Sequence, residues 1–378
     1  VGNPQDAFVA LIDEAVRPRL DGHATYLAAA TPDPLPVAKA DLLYLWDDYR
    51  NEMIDFAAHL NPLGHRMLSL HDALTDHLKY YGYTGVQGQH ALRWPVEYAQ
   101  DLSAAFTRPD EPPRKVLFCE GQREAVHTAI RLAAADKPVA VLNTGWHNWL
   151  GMPVLFSTDW SGVDWTQYGA LLLAPTTVTG SPVPGAREWM LRARTESVPV
   201  IVDESGTGFG RTGHLWGQEH LGLMADLTVL GGPLGGGLPL GAVVAPPDWF
   251  DNLHAPSPHS GHPWACAMGH ALFTRTHPGV IEHVKDLTRT LADGLDGLVG
   301  QFPGLLVGHH GTGLLRGLQF ADEQRAAAFP IAARHHGLHV EPAFGDTVRL
   351  APVLVSSPHE VTRGVDLMAD TLLSWGDG

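Results

Sequence analysis

The strongest constraint in this chain is a series of short, continuously apolar runs. They recur between helical patterns, and each ends in polar, proline or glycine-rich residues. The runs are Lys115-Val116-Leu117-Phe118, Val139-Ala140-Val141-Leu142, Ala170-Leu171-Leu172-Leu173, Val198-Pro199-Val200-Ile201-Val202 and Leu227-Thr228-Val229-Leu230. A strand packed on one face alternates apolar and polar residues, whereas a run apolar throughout suits a strand covered on both faces. Such runs alternating with helices, like the one expected over 123–135, predict a mostly parallel α/β sheet. Ligands of such sheets gather at the carboxyl ends of the strands. The residues that follow each run are therefore where chemistry is expected: Gly121-Gln122-Arg123, the loop 143–148, Pro175, Asp203-Glu204 and Gly231-Gly232.

The rest of the chain frames that sheet. A leading helix is expected over 6–20 and a proline-rich linker over 31–36. Leu42-Leu43-Tyr44-Leu45-Trp46 and Met53-Ile54-Asp55-Phe56 read as short strands. Beyond about residue 275 the pattern changes to a long helix over 280–298, strands near 305–307 and 314–320, a helix over 326–335, a strand over 347–350 and a closing helix over 358–375. At 378 residues there is room for two packed cores. The division expected is an N-terminal segment (1–55) that joins a small domain, a large α/β domain (56–274) and a C-terminal small domain (275–378).

Several function classes are argued against by composition. A net charge of −16 disfavours nucleic acid and anionic membranes, both of which need a basic face. No apolar run approaches the length of about eighteen residues that a membrane span needs. Residues 1–20 are mixed and acidic, unlike a secretory leader. Cys119 and Cys266 lie far apart in apolar settings, as buried thiols do, so a cytoplasmic location is expected. Histidines number 22, but no His-Glu-x-x-His or Cys-x-x-Cys spacing occurs, and no metal site is expected.

Residues 202–213 read Val-Asp-Glu-Ser-Gly-Thr-Gly-Phe-Gly-Arg-Thr-Gly. Asp226 then precedes Gly231-Gly232-Pro233-Leu234-Gly235-Gly236-Gly237-Leu238-Pro239-Leu240-Gly241. Together these closely resemble the signature stretch of the class III aminotransferases, which use pyridoxal phosphate (PLP). Ordered matches run through nearly the whole chain: Leu45-Trp46-Asp47, Leu63-Gly64-His65, Phe118-Cys119 with Glu124-Ala125-Val126, Trp146-His147, the segment from Pro263 to Ala267, and Val348-Arg349-Leu350-Ala351-Pro352. The resemblance implies fold type I of the PLP-dependent transferases, with a large domain around a mostly parallel sheet and a smaller α+β domain. It also implies a dimer with the site at the interface, so a homodimer, or a heterodimer with a paralogue, is expected. By the same resemblance Asp203 lies under the cofactor's ring nitrogen, Trp146 stacks on the ring, and His147 stands beside the pocket as an acid–base group. Gly121 and Gln122, with Arg123, fall at the helix start that holds the phosphate. Arg349 falls where a substrate carboxylate is gripped, with Arg123 and Trp146 as further substrate contacts.

The departures from that pattern are as informative as the matches. The family's lysine, whose amine forms the Schiff base and shuttles its proton, falls on Gly232, which can do neither. The family's Ser-Gly-Thr falls on Gly121-Gln122-Arg123, a threonine on Pro258, a glutamine on Gly206 and a glutamate on Ala174. No other lysine has a claim: Lys39, Lys79, Lys115, Lys137 and Lys285 all fall outside the matched site positions. Joint loss of contacts that serve one cofactor leads to the expectation of no cofactor. It points to a PLP-independent biosynthetic enzyme of lyase, isomerase, dehydratase or cyclase type, working on a small carboxylated anion through Asp203 and His147, with His259 and His262 as weaker candidates. Two alternatives stand beside it: a pseudoenzyme partner of an active aminotransferase, and an enzyme that holds PLP or its amine form (PMP) non-covalently or keeps a weak transaminase activity. Asp203 and Glu204 are consecutive residues leaving a strand and are expected to point apart.

Overall fold

A computed structural model describes residues 35–80, 92–142, 145–147, 149–150, 154–157, 161–251, 257–276 and 279–375. The helix expected over 6–20 and most of the linker after it lie outside the described residues. In chain order, the described part opens with β1 (Val37–Asp41), β2 (Tyr44–Asp47) and β3 (Glu52–Asp55), then α1 (Leu68–Tyr80) and α2 (Arg93–Phe106). Next come β4 (Lys115–Cys119), α3 (Gln122–Ala134), β5 (Val139–Leu142), β6 (Val154–Ser157) and β7 (Ala170–Leu173). They are followed by α4 (Ala186–Thr195), β8 (Val200–Asp203), β9 (Leu227–Leu230), β10 (Gly241–Ala245), α5 (Pro263–Thr276) and α6 (Gly279–Gln301). The last elements are β11 (Leu306–Thr312), β12 (Leu315–Phe320), α7 (Glu323–His335), β13 (Leu338–His339), β14 (Thr347–Leu350) and α8 (Pro358–Leu373).

The continuous apolar runs build a seven-stranded sheet in the order β4-β10-β9-β8-β7-β5-β6. All its strands are parallel except β10, which runs antiparallel to both β4 and β9. Neighbouring residues on a strand face opposite ways. Val139, Val141, Leu172, Ile201 and Val229 therefore pack on one side, with Ala125, Val126, Ala129 and Ile130 of α3. Ala140, Leu142, Leu171, Leu173, Val200 and Val202 pack on the other, with Ala186, Met190 and Ala193 of α4. Each Val, Leu, Ile or Met among them stabilises the fold by about 1.5–3 kcal/mol when fully buried, so both faces need apolar residues. This is the architecture of fold type I. Strand β10 escapes the sequence reading, which stops at the glycine-rich loop before it. That strand passes so close to the start of α3 that a Cβ on Gly241 would lie 2.3 Å from the Gly121 carbonyl oxygen.

Two smaller sheets lie against a second core. One has the order β1-β2-β3-β13, the other β11-β12-β14. In the first, β13 pairs parallel with β3, matching Ile54 with Leu338 and Asp55 with His339, so segments far apart in the chain share one sheet. Leu287, Leu291 and Leu295 of α6 pack there with Phe320, Phe329 and Met368. Helix α8 starts where the sequence signals it: Ser357 accepts from the Glu360 amide, Glu360 accepts from the Ser357 amide, and Pro358 opens the first turn. Arg211 of the glycine-rich signature ties the two bodies together. It is buried, and its guanidinium donates to the carbonyls of Ala58 (2.7 Å) and Pro352. Among the described residues no helix is long and apolar enough to cross a membrane.

Candidate active site

Strand β8 ends on Asp203, at the carboxyl edge of the parallel sheet, with 2 % of its surface exposed. A buried carboxylate needs donors, and Asp203 has three. His147 Nε2 lies 3.0 Å from Oδ2, Gln122 Nε2 donates to the same oxygen at 3.1 Å, and the Ser205 amide donates to Oδ1 at 2.9 Å. Burial pushes the Asp203 carboxyl up, but the His147 hydrogen bond and charge, with the bonds from Ser205, outweigh it and hold the group below its ordinary value. The carboxylate is therefore ionised at neutral pH. His147 gives Nε2–H to it, and among the described residues its buried Nδ1 and the hydroxyl of buried Ser205 have no partner. Trp146 is half-buried beside this group. Its indole N–H donates to the Thr176 carbonyl at 3.0 Å, and its ring lies so close to Gly206 that a Cβ there would come within 2.3 Å of it. Loss of the family's glutamine at 206 thus makes room for the tryptophan ring.

Glu204 faces the other way, as expected of the next residue on a strand. The Gly217 and Gln218 amides donate to it at 2.8 and 2.7 Å, and the Thr207 hydroxyl does so at 2.5 Å. Burial nevertheless pushes its carboxyl up to about 7, and the Asp203 charge adds to this. The two carboxylates form no dyad.

The lysine position is closed by the backbone itself. Gly232 follows β9 with φ +55°, and a Cβ built there would lie 2.3 Å from the Ser205 carbonyl oxygen. A Cβ on Gly231 would meet the Ser205 hydroxyl at 2.6 Å and Gln122 Cβ at 2.7 Å. Nor does another lysine stand in. Lys115 begins β4 and Lys137 follows α3, both at the opposite edge of the sheet, while Lys39, Lys79 and Lys285 lie on β1, α1 and α6.

Arg349 of β14 lies within reach of Trp146, its guanidinium 5.3 Å from the indole ring. It already has a carboxylate partner. Nε donates to Glu341 at 2.7 Å, Nη2 donates to the same glutamate, and Nη1 donates to the Val178 carbonyl at 3.1 Å. His59 takes the other Glu341 oxygen. Burial pushes the Glu341 carboxyl up, but bonds and charge from His59 and Arg349 outweigh it and keep the group ionised. Glu341 and His59 escape the sequence reading because no motif marks either: Glu341 reaches Arg349 across a turn, and His59 comes from a distant part of the chain. Arg123, expected to meet an anion at the site, instead lies exposed over Trp149, 5.1 Å from its ring. The bulky residue that reaches the site is its neighbour Gln122. Gly121 caps α3, and among the described residues a Cβ added to it would meet nothing within 4 Å. His262 lines a cleft of about 310 Å³ with Glu120, His259 and Trp264. Among the described residues no group of three or more His, Cys, Asp or Glu is placed to hold a metal ion.

Comparison with known proteins decides the family. The family model described as aminotransferase class-III matches residues 184–372, half of the chain. The acetylornithine aminotransferase of Streptomyces coelicolor is 31% identical over 85% of this chain and 86% of its own length. This chain belongs to the class III aminotransferases. The acetylornithine aminotransferase of Synechocystis is 26% identical, over 90% of this chain and 89% of its own. The crystal structure of acetylornithine aminotransferase from Elizabethkingia anophelis superposes with a TM-score of 0.83 at 22% identity, over 95% of this chain and 99% of that one, which shows the shared fold.

Membership in this class III family corrects one expectation. The class III aminotransferases are a family that uses PLP, and membership in it points to PLP rather than to the absence of a cofactor. The residues present fit that group in part. An ionised carboxylate at the strand end, an aromatic ring beside it, two unpartnered buried polar atoms and a glycine cap at a helix start suit a phosphorylated pyridinium. A covalent tether at 232 does not fit.

Proposed function

We propose that this class III family member takes PLP or PMP without a covalent tether and carries out aminotransferase-type chemistry on a small carboxylated metabolite, in a biosynthetic setting. The buried, ionised Asp203 is the observation that carries this reading. Asp203 would hold the ring nitrogen protonated, Trp146 would lie against the ring, and the amides at Gly121 and Gln122 would face the phosphate. The bound group supplies an electron sink for a carbanion. His147 keeps Asp203 ionised through Nε2–H, and its buried Nδ1 is the atom that accepts and returns a proton. Arg349 receives the substrate carboxylate once Glu341 moves off it, with His59 holding the displaced glutamate. A homodimer fits this reading, as the family's site lies at a subunit interface.

The test is equilibrium binding of PMP to the purified protein and to Asp203→Asn, read by absorbance after dialysis and by the shift in melting temperature. Reversible binding is expected, weakened by about tenfold or more in the variant, the loss of one charge-assisted hydrogen bond. Absence of binding at millimolar PMP, or equal binding by both proteins, would overturn the reading. A second reading, a pseudoenzyme partner of an active aminotransferase, is favoured by the closed backbone at Gly232. Copurification with an active paralogue would support it.

A further inference from the structure

The Asp203 carboxylate accepts three donors within the chain, and one of them is the Gln122 side chain. Oδ2 receives two donors, His147 Nε2 at 3.0 Å and Gln122 Nε2 at 3.1 Å. An ionised carboxylate only accepts, so the Gln122 amide presents its NH₂ to it. Gln122 Cβ and Cα lie 2.7 and 3.1 Å from where a Cβ on residue 231 would be, so glycine at 231 leaves Gln122 its place against the strand end. Gln122 opens helix α3, and its Gly121 cap has no side chain to offer, so the amide is free to reach across to the strand end.

We propose that Gln122 is a built-in plug that stands in for the cofactor's ring nitrogen on Asp203 and must swing off before a ring can bind. This rests on the reading that a ring binds at Asp203. The physical need follows from the missing tether. A cofactor held by lysine stays in place, and the carboxylate beneath it is never bare. A cofactor that comes and goes leaves that buried carboxylate one donor short at each departure, and an unsatisfied buried charge is costly. The Gln122 amide supplies the donor in the empty state and competes with the ring in the filled one. Affinity is thereby lowered by the population of the plugged state.

The experiment is PMP titration by calorimetry and stopped-flow absorbance on the full-length wild type, Gln122→Ala and Gln122→Asn. The asparagine variant keeps an amide that is one methylene too short to reach Asp203, and it serves if the alanine variant folds poorly. Both variants are expected to bind PMP about tenfold tighter, the scale of one hydrogen bond to a charged group. In the wild type the observed association rate should level off with rising PMP, because the plug must open first. In the variants it should rise linearly. Tighter binding by the variants when the wild type binds nothing supports the plug while overturning the proposed function of the wild type. Equal affinity across the three proteins, or no binding by any, overturns the plug. Weaker binding by the variants would also overturn it, because Gln122 would then be holding the cofactor rather than displacing it.

Discussion

The two sides of one strand end differ more than their adjacency suggests. Asp203 and Glu204 are consecutive and each is 2 % exposed, yet one carboxyl is held below its ordinary value and the other is pushed up to about 7. The partners account for this. Asp203 has a histidine that can carry charge, and its amide and glutamine donors converge from the site side. Glu204 has only neutral donors, a hydroxyl and two amides, and feels the charge of Asp203 next to it. Equal burial thus yields shifts of opposite direction, and the partner's charge decides which. Both sides depend on glycine. On the site side Gly206, Gly231 and Gly232 each sit where a Cβ would strike a neighbour, and on the rear side a Cβ on Gly217 would lie 2.7 Å from Thr207 Cβ.

Three perturbations would break or sharpen that contrast. The largest effect is expected from Gly232→Lys. Its Cβ would meet the Ser205 carbonyl and its backbone would keep a left-handed φ, so a loss of about 4 kcal/mol or more, or failure to fold, is expected. Gly232→Ala should be harmed nearly as much, because the clash is at Cβ. Thermal melts of the two variants check this. A stable Gly232→Lys protein that retains PLP absorbance after dialysis would show the closed backbone to be wrong. On the rear side, Glu204→Ala leaves two buried amides and a hydroxyl without an acceptor, and urea unfolding should report a loss of about 3 kcal/mol.

The smallest effect is in the pH dependence, and it has opposite signs for the two carboxyls. The folded value of Glu204 lies above its ordinary 4.5, so its contribution to stability is full below 4.5 and is lost as pH rises through about 7. The change is on the order of 1–3 kcal/mol between those limits. The folded value of Asp203 lies below its ordinary 3.8, so its contribution is present above 3.8 and is lost as pH falls through the folded value. Glu204→Gln should flatten the first limb, while Asp203→Asn should remove the second and shrink the first without abolishing it, because the Asp203 charge is one cause of the raised Glu204 value. Unfolding curves from acid to neutral pH would separate them, and a single variant that removed both limbs would refute the division.

Much of the fold was legible because it rests on local signals. The runs at 139–142, 170–173 and 227–230 are strands with those bounds, and the closing helix starts at Pro358 where the capping pair places it. Strand β10 was missed for the complementary reason. It follows a glycine-rich loop and runs against its neighbours, and no periodicity marks direction. In the site, the placement of Asp203, Trp146 and His147 could be read from motif position. The partners Gln122 on Asp203 and Glu341 on Arg349 could not.

The sequence by itself determined the α/β class, the class III resemblance and the absence of a lysine at position 232, because each is a property of residue type and order. Tertiary structure decided which side chain fills the vacated space. Gln122 is one residue before Arg123, and only the meeting of α3 with the glycines after β9 selects it for Asp203. Arg349 is likewise occupied by a glutamate eight positions before it, across a turn whose path no motif records. Local pattern fixes what a strand is, but a buried charge is satisfied by whatever donor the packing of distant segments brings within about 3 Å.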